Sequence, residues 1–149
     1  MTSEPVVWNG FTQAALDAAY NNSAAVSGSA ETMAQLTAMS AAMRAQHARA
    51  LDLAYGPHER QRFDLFACGA SGAPLLAFFH GGYWLRNSKD MFAALAQGPL
   101  ALGYDVAMIG YRLAPEASLR EIVAECAEAI AEIQRSAPAH GLAANTIVA

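Results

Sequence analysis

Two runs constrain this chain more than anything else in it: Pro74-Leu75-Leu76-Ala77-Phe78-Phe79 and Asp105-Val106-Ala107-Met108-Ile109. Uninterrupted apolar segments of this length fit strands covered on both faces of a largely parallel sheet. Between them, Asn87 or Ser88 can cap a helix bearing Met91, Phe92 and Leu95, with Asp90 near the positive end of its dipole. Gly98-Pro99 is expected to kink or end that helix. After the second run, Ser118-Leu119-Arg120-Glu121 is a capping box, in which hydroxyl and carboxylate each satisfy an orphan amide. Leu119, Ile122, Val123, Cys126, Ile130 and Ile133 should then form the apolar face of a helix, and Glu121, Glu125, Glu128 and Glu132 a solvated acidic face. Asn145-Thr146-Ile147-Val148-Ala149 reads as the start of another buried strand. Strand, helix, strand, helix, strand implies right-handed crossovers and an α/β fold, a mostly parallel sheet with helices on both faces.

The preceding residues form an N-terminal helical extension, taken as 1–54, with 55–149 as the sheet-bearing domain. A short helix is expected over residues 12–20. A longer one follows Ser27-Gly28-Ser29, over residues 31–50, with Met33, Leu36, Met39, Met43 and Ala50 as a packing stripe. Gly56-Pro57 marks a turn. Arg62-Phe63-Asp64-Leu65-Phe66 suits a strand with one wetter face, and the turn composition of Cys68-Gly69-Ala70-Ser71-Gly72 suggests a hairpin-like or meander connection to the next strand.

A chain of 149 residues that is 54% hydrophobic and 15% charged can bury a substantial core. Its net charge of −4, with nine Lys and Arg, provides no basic face for a phosphate backbone, so nucleic acid is not an expected partner. Cys68 and Cys126 match no metal or disulfide pattern and are expected to be reduced and buried. Met1-Thr2-Ser3-Glu4-Pro5 has no cationic and apolar leader, and no stretch approaches the roughly 20 apolar residues that span a bilayer. A soluble cytoplasmic protein is expected.

In folds of this kind ligands bind beyond the carboxyl ends of the strands, which is where His80-Gly81-Gly82-Tyr83-Trp84 must lie. Adjacent glycines allow a sharp turn that presents unobstructed amides, as stabilisation of an oxyanion requires. Gly82 and Tyr83 are the preferred donors, Gly81 shapes the turn, and His80 orients the loop through hydrogen bonds to its backbone. Trp84 can stack on an aromatic substrate or simply pack. Tyr111 and Arg112 are structural, the arginine tied to a carboxylate such as Glu116. Ser71 is a turn serine. His47, His58 and His140 lack ligand spacing and take surface or capping roles, so no metal site is expected. The loop is not the G-x-G-x-x-G of a dinucleotide-binding domain.

The stretch Phe78-Phe79-His80-Gly81-Gly82-Tyr83-Trp84 resembles the strand and oxyanion loop of α/β-hydrolases of the kynurenine formamidase and carboxylesterase type. Tyr20-Asn21-Asn22, Leu53-Ala54-Tyr55-Gly56, Phe63-Asp64-Leu65-Phe66 and Gly110-Tyr111-Arg112-Leu113-Ala114-Pro115-Glu116 follow in that family's order. The resemblance implies hydrolysis of N-formylkynurenine, related aryl formamides or small esters, without a metal or organic cofactor. It also implies a Gly-x-Ser-x-Gly elbow directly after the strand that begins near Thr146, with Ser, Asp or Glu, and His following in that order. All three lie beyond Ala149, so nucleophile, acid and base are assigned to no residue here. The expectation is the N-terminal half of an α/β-hydrolase domain, inactive alone and prone to self-association or to pairing with a complementing C-terminal half. The alternatives are a non-catalytic ligand-binding or interaction module and one fragment of a split hydrolase.

Overall fold

The computed structural model describes residues 4–149; the first three residues of the opening segment, where no leader was expected, lie outside them. Two compact units divide between Gln35 and Leu36. In the first, β1 (Val6–Trp8) and β2 (Phe11–Thr12) pair antiparallel, and Trp8 stacks on Phe11. The Thr12 hydroxyl caps α1 (Gln13–Tyr20), Asn21 caps the single turn α2 (Asn22–Ala25), and α3 (Ser29–His47) begins here. The expected helices are present; the two-stranded ribbon ahead of them was not foreseen.

The second unit is built on a five-stranded sheet in the order β3-β4-β6-β5-β7. Its strands are β3 (Ala48–Ala54), β4 (Arg62–Phe66), β5 (Leu75–Phe79), β6 (Asp105–Ile109) and β7 (Ile147–Val148). Parallel pairing joins β7, β5 and β6, while β4 runs antiparallel to both β6 and β3. Four strands therefore share one direction. The helix expected to reach residue 50 stops at His47 because Ala48–Ala54 pairs with β4, which also places residues 48–54 in the sheet rather than in the extension. The hairpin expected between β4 and β5 is absent, since β6 lies between them and β5 has strands on both sides.

Alternate residues of the strands feed two cores. Phe63, Leu65, Leu75, Ala77, Ala107 and Ile109 pack on one face against Ala129 and Ile133 of α5 (Leu119–Ser136). Phe66, Val106 and Met108 pack on the other against Met43 of α3 and Ala93 and Ala96 of a 3-10 segment, Lys89–Ala96. That segment runs on into α4 (Gln97–Ala101), so Gly98-Pro99 does not end the helical path. Pro99 is tolerated because it sits in the first turn of α4, where an amide has no intrahelical acceptor. Buried Ser40 of α3 fastens the layer, donating to the Met91 carbonyl (2.9 Å) and accepting from the Ala94 amide (3.0 Å). Of the expected methionine stripe, Met43 is buried and Met39 points outward.

The capping box at Ser118 and Glu121 forms as expected. The faces of α5 differ from expectation: Leu119 and Val123 are exposed, whereas Glu125 is buried. Its burial follows from a partner, because Arg112 Nε donates to Glu125 Oε1 and the Arg112 amide to Oε2 (3.0 Å). Arg112 is thus tied to Glu125, and Glu116 pairs instead with His58 Nε2 at 2.9 Å. Cys68 and Cys126 are free but only half-buried. Burial, with the charge of Glu125, pushes the Cys126 thiol up to about 11. No helix among the described residues is long and apolar enough to cross a membrane.

Candidate active site

Three strand ends meet at one edge of the sheet. Phe79 stands opposite Ile109 in the parallel pair, and Phe63 stands opposite Ile109 in the antiparallel one. The residues just outside these positions, His80 after β5, Tyr111 after β6 and Arg60 before β4, are therefore brought together by register alone.

His80 is buried, with its ring stacked on Tyr111 at 4.4 Å between centroids and 10° between planes. Its Nδ1 lies 3.0 Å from the Gly81 carbonyl oxygen, to which only a protonated nitrogen can donate, so the proton sits on Nδ1. Nε2 is buried without a hydrogen-bond partner among the described residues. Burial holds the imidazole pKa below its ordinary 6.5; the bond to Gly81 opposes this, and the nearby Arg60 charge adds to it. The lowered pKa favours the neutral ring, and its Nδ1 bond goes to the loop backbone.

From Gly82 the backbone turns through three successive positive φ values, 134° at Gly82, 54° at Tyr83 and 59° at Trp84. Only glycine fits position 82: a Cβ there would lie 2.4 Å from the Arg86 carbonyl oxygen and 2.8 Å from Asn87 Nδ2. Gly81, by contrast, has open space around it and no positive φ. The turn is made by Gly82 rather than Gly81. The two non-glycine residues in left-handed geometry store strain of order 1 kcal/mol each, which the surroundings must hold. Asn87 Nδ2 donates to the Gly81 carbonyl (3.1 Å), the Leu85 amide to Gly82 (3.0 Å), and the Ala114 amide to Trp84 (2.7 Å). The amides of Gly82 and Tyr83 meet no acceptor among the described residues.

Two residues not singled out from sequence hold this arrangement. Arg60 donates from Nε to the Tyr111 carbonyl (2.9 Å) and from Nη2 to the Asn87 carbonyl (2.5 Å), joining the loops that follow β5 and β6. Behind them, the Lys89 ammonium contacts Asp52 (2.6 Å), Asp64 (2.8 Å) and Asp90 (2.7 Å). Arg44 Nε adds a 2.9 Å bond to Asp64, which is fully buried. Oxygens of these three aspartates come within 4.8 Å of one another, a spacing suited to a cation. The lysine ammonium already bridges all three, so the arrangement is an ion-pair network. The supposed wetter face of β4 is this buried Asp64, and an aspartate in the middle of an apolar strand was the available signal for it.

A cavity of about 560 Å³ opens beside the loop, lined by residues 80–84 with Arg86, Asn87, Phe92 and Tyr111. Tyr83 and Trp84 are about half exposed beside it. Ser71 is exposed in the turn before β5, at the opposite end of the strand from His80. Of the other histidines, His58 bridges Glu116 and the Arg60 amide, and His140 offers its carbonyl to Arg49.

Residues 76–149 match a family model described as an alpha/beta hydrolase fold. A kynurenine formamidase of Danio rerio is 31% identical over 85 residues, covering 56% of this chain and 29% of that protein. One of Drosophila melanogaster is 37% identical over 76 residues, covering 49% and 25%. A crystal structure described as a thioesterase candidate from Silicibacter sp. tm1040 superposes with a TM-score of 0.74 at 35% identity, over 81% of this chain and 47% of that one. The matched region thus spans between a quarter and a half of these relatives' own length. With the strand order, the helices on both faces and these likenesses together, the chain belongs to the α/β-hydrolase fold, with kynurenine formamidases among its relatives.

Proposed function

We propose that this chain supplies the oxyanion-stabilising part of a hydrolase that cleaves aryl formamides or small carboxylic esters. The observation that carries this is the pair of free amides at Gly82 and Tyr83, held by a constrained turn at the carboxyl end of β5 and beside a cavity. When a nucleophile adds to a carbonyl carbon, negative charge develops on its oxygen. Donors already fixed toward that oxygen lower the barrier, and each contributes about 3 kcal/mol in hydrolases of known mechanism. Here Gly82 and Tyr83 donate, neutral His80 and Asn87 hold the Gly81 carbonyl away from them, and Trp84 offers an aromatic wall. Attack and proton transfer fall to a serine, a carboxylate and a histidine that are none of the residues of this chain.

The 149-residue chain, given formanilide or 4-nitrophenyl acetate, should show no turnover above buffer. Formanilide should nonetheless shift the Gly82 and Tyr83 amide resonances saturably. Turnover abolished by a serine-directed phosphonate would contradict the division of roles, and unshifted amides would contradict the assignment of the loop.

A further inference from the structure

Seven of the nine basic side chains make ion pairs or hydrogen bonds within the chain. Arg44, Lys89, Arg112 and Arg135 pair with carboxylates, and Arg49, Arg60 and Arg62 donate to carbonyls. Arg86 and Arg120 have no ion pair or hydrogen bond among the described residues, and of these two only Arg86 lines the cavity beside the oxyanion loop. Arg86 is the one cationic residue among those lining the cavity, which include no Asp or Glu. The other side chains there are largely aromatic, including Tyr83, Trp84, Phe92 and Tyr111.

The backbone under Arg86 is also fixed relative to the free amides. Its carbonyl sits so close to Gly82 that no Cβ could intervene, and Asn87, the next residue, is held by Arg60. The base of the side chain is thus fixed beside the loop, and a guanidinium matches a carboxylate with two parallel hydrogen bonds. The chain as a whole carries a charge of −4, so attraction for an anion at this point is local.

We infer that Arg86 is a specificity-determining residue that selects substrates whose aromatic part bears a carboxylate. This rests on the assignment of residues 80–84 as the substrate site and narrows its substrate class. The test uses the 149-residue chain with two probes, 4-formamidobenzoate and its uncharged counterpart formanilide, followed through the Gly82 and Tyr83 amide resonances. The charged probe should bind about three- to tenfold more tightly, and the preference should shrink at about 0.5 M salt. R86Q should bring the two probes to equal affinity and R86K should keep part of the difference. Arg86 is exposed, so both variants should melt with the parent. Binding of both probes without preference, or a preference that survives R86Q, overturns the inference and leaves the loop assignment standing. Failure of both probes to shift the amides overturns the assignment and the inference together.

Discussion

The Tyr111 ring lies face to face on the His80 imidazole, and its hydroxyl donates to the His80 carbonyl oxygen. One side chain from the loop after β6 thus holds both the ring and the backbone at which the oxyanion loop departs. Tyr111→Phe keeps the stack and orphans the buried carbonyl, which should cost about 1–2 kcal/mol in urea unfolding. Tyr111→Ala removes the stack as well and should cost about 3 kcal/mol or more. Equal stability of the parent and the phenylalanine variant would mean that the hydroxyl bond contributes nothing.

Gly82→Ala and Gly81→Ala make a paired comparison one residue apart. At position 82 the methyl would meet the Arg86 carbonyl at 2.4 Å with φ at 134°, so the loop must rearrange, with a loss of about 2 kcal/mol or more and displaced amide resonances at Tyr83 and Trp84. At position 81 the methyl enters open space, and the change should stay within about 0.5–1 kcal/mol. Thermal melts and an amide spectrum of each variant decide it, and similar losses at both sites would contradict the assignment of the turn to Gly82.

What could be read from sequence follows the range of the forces involved. The apolar runs of β5 and β6 and the capping box of α5 are local patterns, and each forms where residue spacing places it. The His80-Gly81-Gly82 loop falls at a strand end for the same reason. Pairings across long sequence separation were not legible: Ala48–Ala54 alternates only in two short triplets that are out of phase, Ala48-Arg49-Ala50 and Leu51-Asp52-Leu53, and it becomes a strand by pairing with β4 through register shifts. Arg60 binds carbonyls 27 and 51 residues away, and Lys89 meets Asp52 and Asp64 across 37 and 25. Glu125 looked like one of four solvated carboxylates because its partner, Arg112, lies outside the helix.

The Lys89 network should dominate the response of stability to mutation in the sheet-bearing unit. Lys89→Met leaves Asp64, fully buried, with Arg44 and the Asp52 amide as its remaining partners, and should cost about 3 kcal/mol. Burial works to lower the lysine pKa, yet its hydrogen bonds to Asp52, Asp64 and Asp90 outweigh this and hold it above 10.5. The stabilisation is therefore complete below 10.5 and lost as pH rises through the folded value. Burial likewise works to raise Asp52, and its contacts with Lys89 and Arg44 outweigh it and hold the pKa below 3.8, so that contribution is present above 3.8 and lost at lower pH. Urea unfolding at alkaline pH should show the parent losing stability while Lys89→Met, lacking the titrating group, loses less; parallel curves would contradict the assignment.

His80 should resist protonation. Burial disfavours the imidazolium, the Gly81 carbonyl favours it less strongly, and the Arg60 charge disfavours it further, so the folded pKa lies below 6.5. As pH falls, the unfolded chain takes up its proton first. The stability that follows from a neutral His80 is therefore full above 6.5 and declines as pH drops below it toward the folded value. A ring-proton titration should place the His80 midpoint below 6.5, and Tyr111→Ala, which admits water to the ring, should move it up toward that value. A midpoint above 6.5 in the parent would mean that the folded site favours the imidazolium, and would contradict His80 as a neutral support for the loop.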